Sequence, residues 1–405
     1  MRYLLLRLKR FCGFITGFVF FFGGILKLLD PVGAGLVMKE YLEFLHMGFL
    51  APVSKAAGVT FAFAETAIGA ALITGVWRRP FAVAAMLLQG FFTLLTLLFV
   101  IFKPEMDCGC FGEAIHLTHW QTFIKNLVLC VLLAAYYFPP KQLGHNKKRK
   151  FVSFAIVCLS TLMFMTYSLL YIPMVDFTDF KPAAALQAGH AFATYDGDIY
   201  ESVFIYGKDG EEEAFDMENL PDTSWTFVRT ETRLKEGYDA AAMPSLSFFD
   251  REGTYQDALA AEGDVLVMSI YDMDVKARFW SAAARFISDA ESTGFRPLIL
   301  AAASPEQTDK ALSGLDKGTA EIIRRHLYHS DYKTLISMNR SNGGVTYFCD
   351  GYLIRKWAGR DIPDMAEMKS IYDDDTTEAI IAQDTKGSLG FQGFLLYVSA
   401  VMLLL

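Results

Sequence analysis

Residues 81–102 read FAVAAMLLQGFFTLLTLLFVIF, an unbroken apolar run in which no side chain is charged. A helix needs roughly 20 apolar residues to cross the hydrocarbon core of a bilayer, so this run predicts a transmembrane helix. Further apolar stretches lie on either side of it, at residues 11–29, 59–77, 122–138 and 151–172. The first 172 residues are therefore predicted to cross a membrane five times.

The charges of the chain are unevenly distributed along its length. Of the 405 residues, 53% are hydrophobic and only 20% are charged, which is too apolar for an ordinary soluble protein. Residues 1–172 carry 16 Lys and Arg against 7 Asp and Glu, whereas residues 173–405 carry 21 against 38. This asymmetry predicts a basic membrane part and an acidic water-soluble part. The acidic part argues against nucleic acid as a partner.

Clusters of Lys and Arg predict the orientation in the membrane, because short loops rich in these residues face the cytoplasm. Three clusters fall at alternate helix ends, at residues 7–10, 78–79 and 147–150. We therefore expect a multi-pass protein of a bacterial inner membrane, with a cytoplasmic N-terminus and periplasmic residues 173–388. No cleavage site of small residues follows the first apolar stretch, so we interpret it as a retained helix rather than a signal peptide.

The C-terminal stretch, residues 390–405, is apolar again. Its length of about 16 residues is short for a membrane-spanning helix. A sixth transmembrane helix is the favoured interpretation. The alternative is a helix that is buried in the bundle or lies on it.

The acidic part changes its pattern near residue 260. Before that point, short strand-like runs alternate with turn signals such as Asp196-Gly197-Asp198. After it, an apolar strand, an amphipathic helix over residues 275–293 and a second strand precede a hairpin-like pair around Asp350-Gly351. This order predicts an α/β domain with a parallel-to-mixed sheet. The expected segments are the bundle (1–140), a basic loop with the fifth helix (141–175), a strand-rich segment (176–260), the α/β domain (261–388) and the C-terminal helix (389–405).

The order of elements over residues 262–370 resembles that of a thioredoxin-like domain. The stretch from Gly343 to Gly351 is similar to the region around the thioredoxin cis-proline and the hairpin that follows it. Gly343 stands where the cis-proline would be, and Asp274-Val275-Lys276-Ala277 stands where the Cys-x-x-Cys motif would be. Cys349 alone cannot form a disulfide within this domain, so we expect a domain that binds a partner or serves as a scaffold.

Several motifs of the first 140 residues resemble the DoxX/MauE family of four-helix membrane proteins. They are Gly23-Gly24 with Lys27 and Asp30-Pro31, Glu65 with Gly69, the run Asp107-Cys108-Gly109-Cys110-Phe111-Gly112, and Trp120 followed by Lys125-Asn126. The resemblance implies a four-helix core, here with an extra helix. The whole chain is similar to larger Bacteroidota-type members that carry a periplasmic domain. MauE is linked to the maturation of a disulfide-rich periplasmic enzyme, which implies thiol–disulfide work.

Cys108 and Cys110 are the main chemical candidates. They lie in a loop that the orientation argument places in the oxidising periplasm. Cysteines at positions i and i+2 can approach closely enough for a disulfide in an extended turn, and Gly109 permits the required backbone conformation. Such a ring is strained, and strained disulfides are more oxidising. The pair is therefore a candidate redox centre, with a structural disulfide as the alternative.

A metal site is a second alternative for the same loop. Cys108, Cys110, His116 and His119 supply four ligand types that suit zinc or copper. Their spacing does not match that of common zinc pairs. We therefore predict neither a metal nor another cofactor.

Glu65 lies inside a predicted membrane helix and is a candidate intramembrane carboxylate. An ionisable residue at such a depth suggests a function, since its exposure to lipid is costly. Lys27 and Gln89 are the expected partners. One interpretation is a polar contact that joins helices, and the other is a path for protons or substrate.

The preferred function is that of an inner-membrane accessory in periplasmic thiol–disulfide exchange or in the maturation of an envelope protein. Any enzymatic activity would be of the thiol–disulfide oxidoreductase kind. The alternatives are a non-enzymatic anchor or scaffold of an envelope complex, and the handling of lipids or small molecules by the bundle. The expected partners are the lipid bilayer and a protein bound by the acidic domain.

Overall fold

The computed structural model describes two compact units. The first comprises Met1–Val175 with Gly390–Leu405, and the second comprises Asp176–Leu389. The described residues are 2–104, 106, 108–115, 117–139, 150–180, 186, 200–208, 211–215, 220–222, 224–234, 246–374 and 376–405.

The first unit is a bundle of apolar helices. Its elements are α1 (Arg2–Leu29), α2 (Pro31–Phe44), a 3-10 turn (Gly48–Val53), α3 (Ser54–Thr74), α4 (Arg78–Phe102), β1 (Cys110–Glu113), α5 (His119–Tyr137), α6 (Phe151–Leu170) and the end of α12 (Thr376–Leu404). Six described segments are long and apolar enough to cross a membrane: Leu6–Leu29, Gly48–Thr74, Arg78–Phe102, His119–Tyr137, Phe151–Leu170 and Thr385–Leu404. The chain is therefore a multi-pass membrane protein.

The predicted helices of the bundle exist, although several boundaries and one element differ. The helix expected at residues 59–77 begins at Ser54 and ends at Thr74, because Gly75 adopts a left-handed conformation with φ +75°. A helix that the apolar runs did not predict, α2, lies between the first two predicted membrane helices. Asp30 caps this helix by accepting a hydrogen bond from Gly33 N at 2.9 Å, and Pro31 is its first residue.

Helices α1 and α3 approach closely because small residues face each other. A Cβ atom on Gly69 of α3 would lie 2.3 Å from the backbone nitrogen of Phe21. A Cβ on Gly24 of α1 would lie 2.2 Å from Thr66 Oγ1. Contacts between small residues let membrane helices pack backbone against backbone, and here they bring α1 against α3 next to Glu65.

Helices α6 and α12 form an antiparallel pair. The ring centroids of Phe164 and Tyr397 lie 5.3 Å apart, and those of Phe164 and Phe394 lie 6.2 Å apart. The Lys150 ammonium, at the beginning of α6, donates to the carbonyl of Leu405 at 3.0 Å. The apolar stretch 390–405 is thus the end of a helix of 29 residues, longer than the apolar run alone indicated.

The second unit contains two sheets. A six-stranded sheet has the order β10-β9-β6-β7-β8-β5, and a three-stranded sheet has the order β3-β2-β4. The strands are β2 (Tyr200–Lys208), β3 (Glu211–Phe215), β4 (Thr226–Leu234), β5 (Phe248–Phe249), β6 (Asp264–Ile270), β7 (Arg296–Ala301), β8 (Leu327–Ser330), β9 (Gly344–Cys349) and β10 (Tyr352–Trp357). The helices are α7 (Ala277–Thr293), α8 (Pro305–Leu312), α9 (Lys317–His326), α10 (Tyr332–Met338), α11 (Met365–Asp373) and the beginning of α12.

Parallel and antiparallel pairing both occur in the larger sheet. Strand β6 pairs in parallel with β7 and antiparallel with β9, and β9 continues into β10 as a hairpin. Helix α7 covers the sheet, and Trp280, Ala283 and Ile287 are fully or almost fully buried there. Apolar burial between α7 and the sheet forms the core of this unit.

Candidate functional site

The loop between α4 and α5 is anchored at both of its ends. Lys103 ends α4 in a left-handed conformation, with φ +47°. Thr118 caps α5 with a reciprocal pair of hydrogen bonds: its Oγ1 accepts from Gln121 N at 3.3 Å, and its own N–H donates to Gln121 Oε1 at 3.0 Å. The loop therefore enters α5 at a defined angle, and His119 is the first residue of the helix.

Within this loop, the side chains of Cys108 and Cys110 differ in exposure. Cys108 is only 2% exposed, whereas Cys110 is half-buried. Gly109 between them has φ +53°, and a Cβ there would lie 2.2 Å from Val37 Cγ1. The turn can thus approach α2 only because residue 109 is glycine.

Tyr41 of α2 also contacts this turn. Its hydroxyl donates a hydrogen bond to the backbone carbonyl of Cys108. Burial, with a smaller contribution from the neighbouring Cys110 and Cys108, raises the pKa of Tyr41 well above its usual value. The phenol therefore stays protonated and remains a donor.

His119 contacts the buried thiol. Its Nδ1 lies 2.9 Å from Cys108 Sγ, and its Nε2 lies 3.0 Å from the carbonyl oxygen of Pro104. A carbonyl oxygen can only accept, so Nε2 carries a hydrogen. In the neutral ring Nδ1 is then the acceptor, and the Cys108 thiol donates to it.

A cavity of about 60 Å³ lies inside the bundle beside Cys110, with room for a few water molecules. Lys27 and Glu65 line it and form an ion pair with Nζ 2.6 Å from Oε2. Lys125 also lines it, and its ammonium lies 4.8 Å from the ring centroid of Phe111. The cavity thus combines apolar walls with charged groups next to one of the two thiols.

The sequence-predicted residues of the bundle fall into different places. Lys27 contacts Glu65 as expected, whereas Gln89 donates instead to the carbonyl of Asn126 at 3.2 Å. The Asn126 side chain donates to Thr96 Oγ1 at 3.2 Å, so it joins α5 to α4. Asp30 caps α2, and Trp120 is 58% exposed on the bundle surface. Glu65, Lys27 and Asn126 line the cavity with Cys110, whereas Asp30 and Trp120 do not.

The four-ligand metal alternative is not assembled by the described residues. Among them, no group of three or more His, Cys, Asp and Glu side chains could hold a metal ion. His116 lies outside the described residues. His119 contacts Cys108 instead. Sequence reasoning weighed His119 as a metal ligand or as a cap or interfacial residue at a helix start, and did not pair it with Cys108.

The second unit contains a single cysteine, Cys349 at the end of β9. Burial, followed by a hydrogen bond to Asp264, raises the pKa of the Cys349 thiol to about 11. The hydroxyl of Tyr347 also donates to Asp264 Oδ1, at 2.6 Å. Cys349 is therefore a protonated thiol with little nucleophilic character at neutral pH.

The fold and the loop together define a helical membrane bundle that carries a separate sheet-containing unit. Residues 3–139 match the family model of the methylamine utilisation protein MauE, so this part of the chain is similar to a MauE/DoxX-like membrane family. Residues 200–237, which cover β2 to β4, match a domain of unknown function, DUF8463. No curated protein and no solved structure matches the chain.

Proposed function

We propose that this protein is a membrane accessory that exchanges thiols and disulfides with an envelope protein through Cys108 and Cys110. The observation that carries the proposal is the Cys108-Gly109-Cys110 turn. The two cysteines lie two residues apart on a turn that Tyr41 and Val37 hold in place. A fixed backbone keeps two sulfur atoms in one region, which favours the opening and closing of a bond between them.

The similarity of residues 3–139 to MauE supports an accessory or maturation role. The Lys and Arg clusters support a periplasmic position of the loop, where disulfides persist. A structural disulfide would give the loop no chemical role. It would also leave unexplained why a thiol of the turn contacts an imidazole.

The second unit is proposed to be a thioredoxin-like domain that binds the partner protein. Its support is the strand order β10-β9-β6-β7, in which β6 and β7 are parallel and β9 is antiparallel to β6. Asp274 to Ala277 follow β6, which comes first of these four strands along the chain. They contain no cysteine pair. The unit would supply binding rather than redox chemistry, because its single thiol has a raised pKa.

Alkylation-shift gels on the purified protein test the proposal. The Cys108–Cys110 pair should accept a disulfide from an oxidant and lose it to a dithiol reductant over repeated cycles. The Cys349→Ser variant is the matched control and should cycle like the wild type. Cys108→Ser and Cys110→Ser should abolish the cycle and change the disulfide state of envelope proteins in cells. A pair that cannot be cycled, together with unchanged envelope disulfides, would refute the proposal.

A non-enzymatic anchor or scaffold is the second candidate. It is favoured by the chain path, which enters the second unit after α6 and returns through α12, so that two candidate membrane helices flank one cysteine-poor unit. Crosslinking and co-purification separate the two functions. A stoichiometric partner that is retained by the Cys108→Ser/Cys110→Ser double variant, with normal function in cells, favours the scaffold.

A further inference from the structure

The two thiols of the turn have different surroundings, and this difference assigns different roles to them. We propose that His119 is the acid–base partner of Cys108, and that Cys110 is the cysteine that forms the mixed disulfide with the partner protein. The assignment rests on the proposed thiol–disulfide exchange and gives each of the two sulfur atoms a separate step in it.

The hydrogen bonds of His119 fix the direction of proton transfer. The Pro104 carbonyl accepts from Nε2–H at 3.0 Å, which leaves the Nδ1 lone pair directed at Cys108 Sγ, 2.9 Å away. When the thiol proton moves to Nδ1, a thiolate and an imidazolium remain as a hydrogen-bonded pair. The Pro104 carbonyl still accepts from Nε2–H and so stabilises the positive ring.

The ring of His119 is also held in position by its neighbours. The ring lies 5.7 Å from that of Phe99, and it is fixed at the first turn of α5 by the Thr118 cap. A histidine that is held by a carbonyl on one nitrogen and a thiol on the other is arranged as in a nucleophile–base pair. The contact of 2.9 Å between Nδ1 and Cys108 Sγ places His119 where it can exchange the thiol proton.

Access decides which sulfur a partner can attack. An attacking thiolate must reach the sulfur along the axis of the disulfide bond. Cys108 is 2% exposed and is covered by its contacts with α2 and α4, whereas Cys110 is half-buried and therefore more accessible. The partner thiolate therefore attacks Cys110, and Cys108 becomes the leaving group.

In the forward direction, the Cys108–Cys110 disulfide oxidises the partner protein. Each partner thiol first loses its proton, the first to His119 Nδ1 through water and the second to water. The first partner thiolate bonds to Cys110 Sγ, the Cys108–Cys110 bond breaks, and its electron pair moves to Cys108 Sγ, which takes the proton from His119 Nδ1. A second partner thiolate attacks the partner's own sulfur in the mixed disulfide, and the released Cys110 thiolate takes a proton from water. Two partner thiols are oxidised to a disulfide, and the Cys108–Cys110 disulfide is reduced to two thiols. The reverse direction uses the same atoms.

The roles of the two sulfurs are tested with oxidised glutathione on full-length protein in lipid nanodiscs. Cys108→Ser leaves the accessible thiol and should form a glutathione mixed disulfide. Cys110→Ser leaves the buried thiol and should react at least about tenfold more slowly at neutral pH. Equal rates, or a faster reaction of the Cys110→Ser variant, would overturn the assignment.

The role of His119 is tested by the pH dependence of thiol reactivity. With a neutral aromatic disulfide as the probe, the Cys110→Ser variant should react at a rate that is nearly constant below about pH 8.5, the ordinary pKa of a thiol. His119→Gln keeps an N–H donor for Pro104 but cannot take the thiol proton. In the Cys110→Ser background it should make the rate fall about tenfold for each pH unit below that value. An unchanged profile overturns the proposal.

A control separates a loss of the base from a collapse of the loop. In the Cys108→Ser background, His119→Gln should leave the pH profile of Cys110 unchanged, and a parallel change at Cys110 would show that His119 only supports the loop. The ultraviolet absorbance of the Cys110→Ser variant against pH reports thiolate formation without any change at His119. The pH profiles do not depend on the oxidation of a partner protein. A protein that cannot cycle its disulfide can therefore still show the effect of His119 on Cys108. The two proposals thus fail separately.

Discussion

Lys27 on α1 and Glu65 on α3 form an ion pair inside the membrane unit, with Nζ 2.6 Å from Oε2. Their side chains are only 14% and 12% exposed, and both line the cavity beside Cys110. An isolated charge at this depth is expensive, whereas a pair neutralises itself. The ion pair therefore joins α1 to α3 beside the cavity that Cys110 lines.

Removing one partner of this pair should cost more than removing both. Glu65→Gln leaves the Lys27 ammonium without its carboxylate, and we expect a loss of about 1–3 kcal/mol in the free energy of unfolding. The double variant Lys27→Met/Glu65→Gln removes the orphaned charge and should recover at least half of that loss. Reversible unfolding in mixed micelles measures the double-mutant cycle. Additive losses would show that the two side chains act independently.

The glycine of the cysteine turn cannot be replaced. Gly109→Ala forces a Cβ into Val37 and requires a non-glycine residue at φ +53°, so we expect a loss of about 2 kcal/mol and a displaced turn. The loss should be smaller in a Val37→Ala background, because the clash is relieved while the backbone strain remains. Gly90→Ala is the control, since nothing lies within 4 Å of its Cβ position and alanine favours its helix. Equal stabilities of the Gly109→Ala and Gly90→Ala variants would contradict the argument.

Cys349 should react more slowly with alkylating reagents than Cys110. With a pKa raised to about 11, only about a thousandth of it is thiolate at pH 8, against about a quarter for an ordinary thiol. Asp264→Asn removes the carboxylate that accepts the thiol hydrogen bond, so it should accelerate alkylation of Cys349 by a maleimide several-fold. Mass spectrometry of labelled peptides follows each cysteine. Cys349 labelling as fast as Cys110 labelling in the wild type would show that the thiol is not held protonated.

Apolar runs predicted the membrane helices because bilayer thickness fixes the length of such a run. They did not predict α2, because residues 31–44 are shorter than a membrane-spanning run and include Lys39 and Glu40. Its starting signal was nevertheless present, since Asp30-Pro31 combines a capping side chain with a proline at the first helical position.

The site could be predicted only in part, for a similar reason. A carboxylate and an ammonium in neighbouring membrane helices must find partners, so the contact of Lys27 with Glu65 follows from the sequence alone. The contact of Cys108 with His119 spans an irregular loop, in which no periodicity relates the two positions. The different burial of Cys108 and Cys110 depends on α2, the element that the sequence pattern missed.

The position of the C-terminus can be tested with reporter fusions. Lys150, the last residue of the basic run 147–150 in the sequence, contacts the carbonyl of Leu405, so Leu405 lies at the end of the bundle where α6 begins. If this run is cytoplasmic, green fluorescent protein fused after Leu405 should fluoresce, and alkaline phosphatase fused there should be inactive because its disulfides need the periplasm. Alkaline phosphatase fused after Val175, in a chain truncated there, should be active. Active phosphatase at both positions would exclude a membrane-spanning α12.

The buried carboxyl of Asp257 should make the second unit less stable as the pH rises from about 4 to 6. Asp257 is 6% exposed and accepts a hydrogen bond from Phe248 N at 2.7 Å, and burial raises its pKa to about 6. Unfolding returns the carboxyl to its ordinary pKa of about 3.9, so between the two values the folded state binds more protons. Stability from this group is therefore present at pH 4, is lost as the pH rises through 6, and does not change further above that.

Asp257→Asn should remove this dependence, because the amide oxygen still accepts from Phe248 N without a buried charge. We expect the variant to melt at the same temperature as the wild type or higher at pH 7, with a difference that shrinks or reverses at pH 4.5. Asp316→Asn is the control. Hydrogen bonds from Thr319 lower the pKa of Asp316, so its titration lies below this window and its variant should follow the wild-type slope. A wild-type slope retained in Asp257→Asn, measured by tryptophan fluorescence against temperature, would assign the pH dependence to another group.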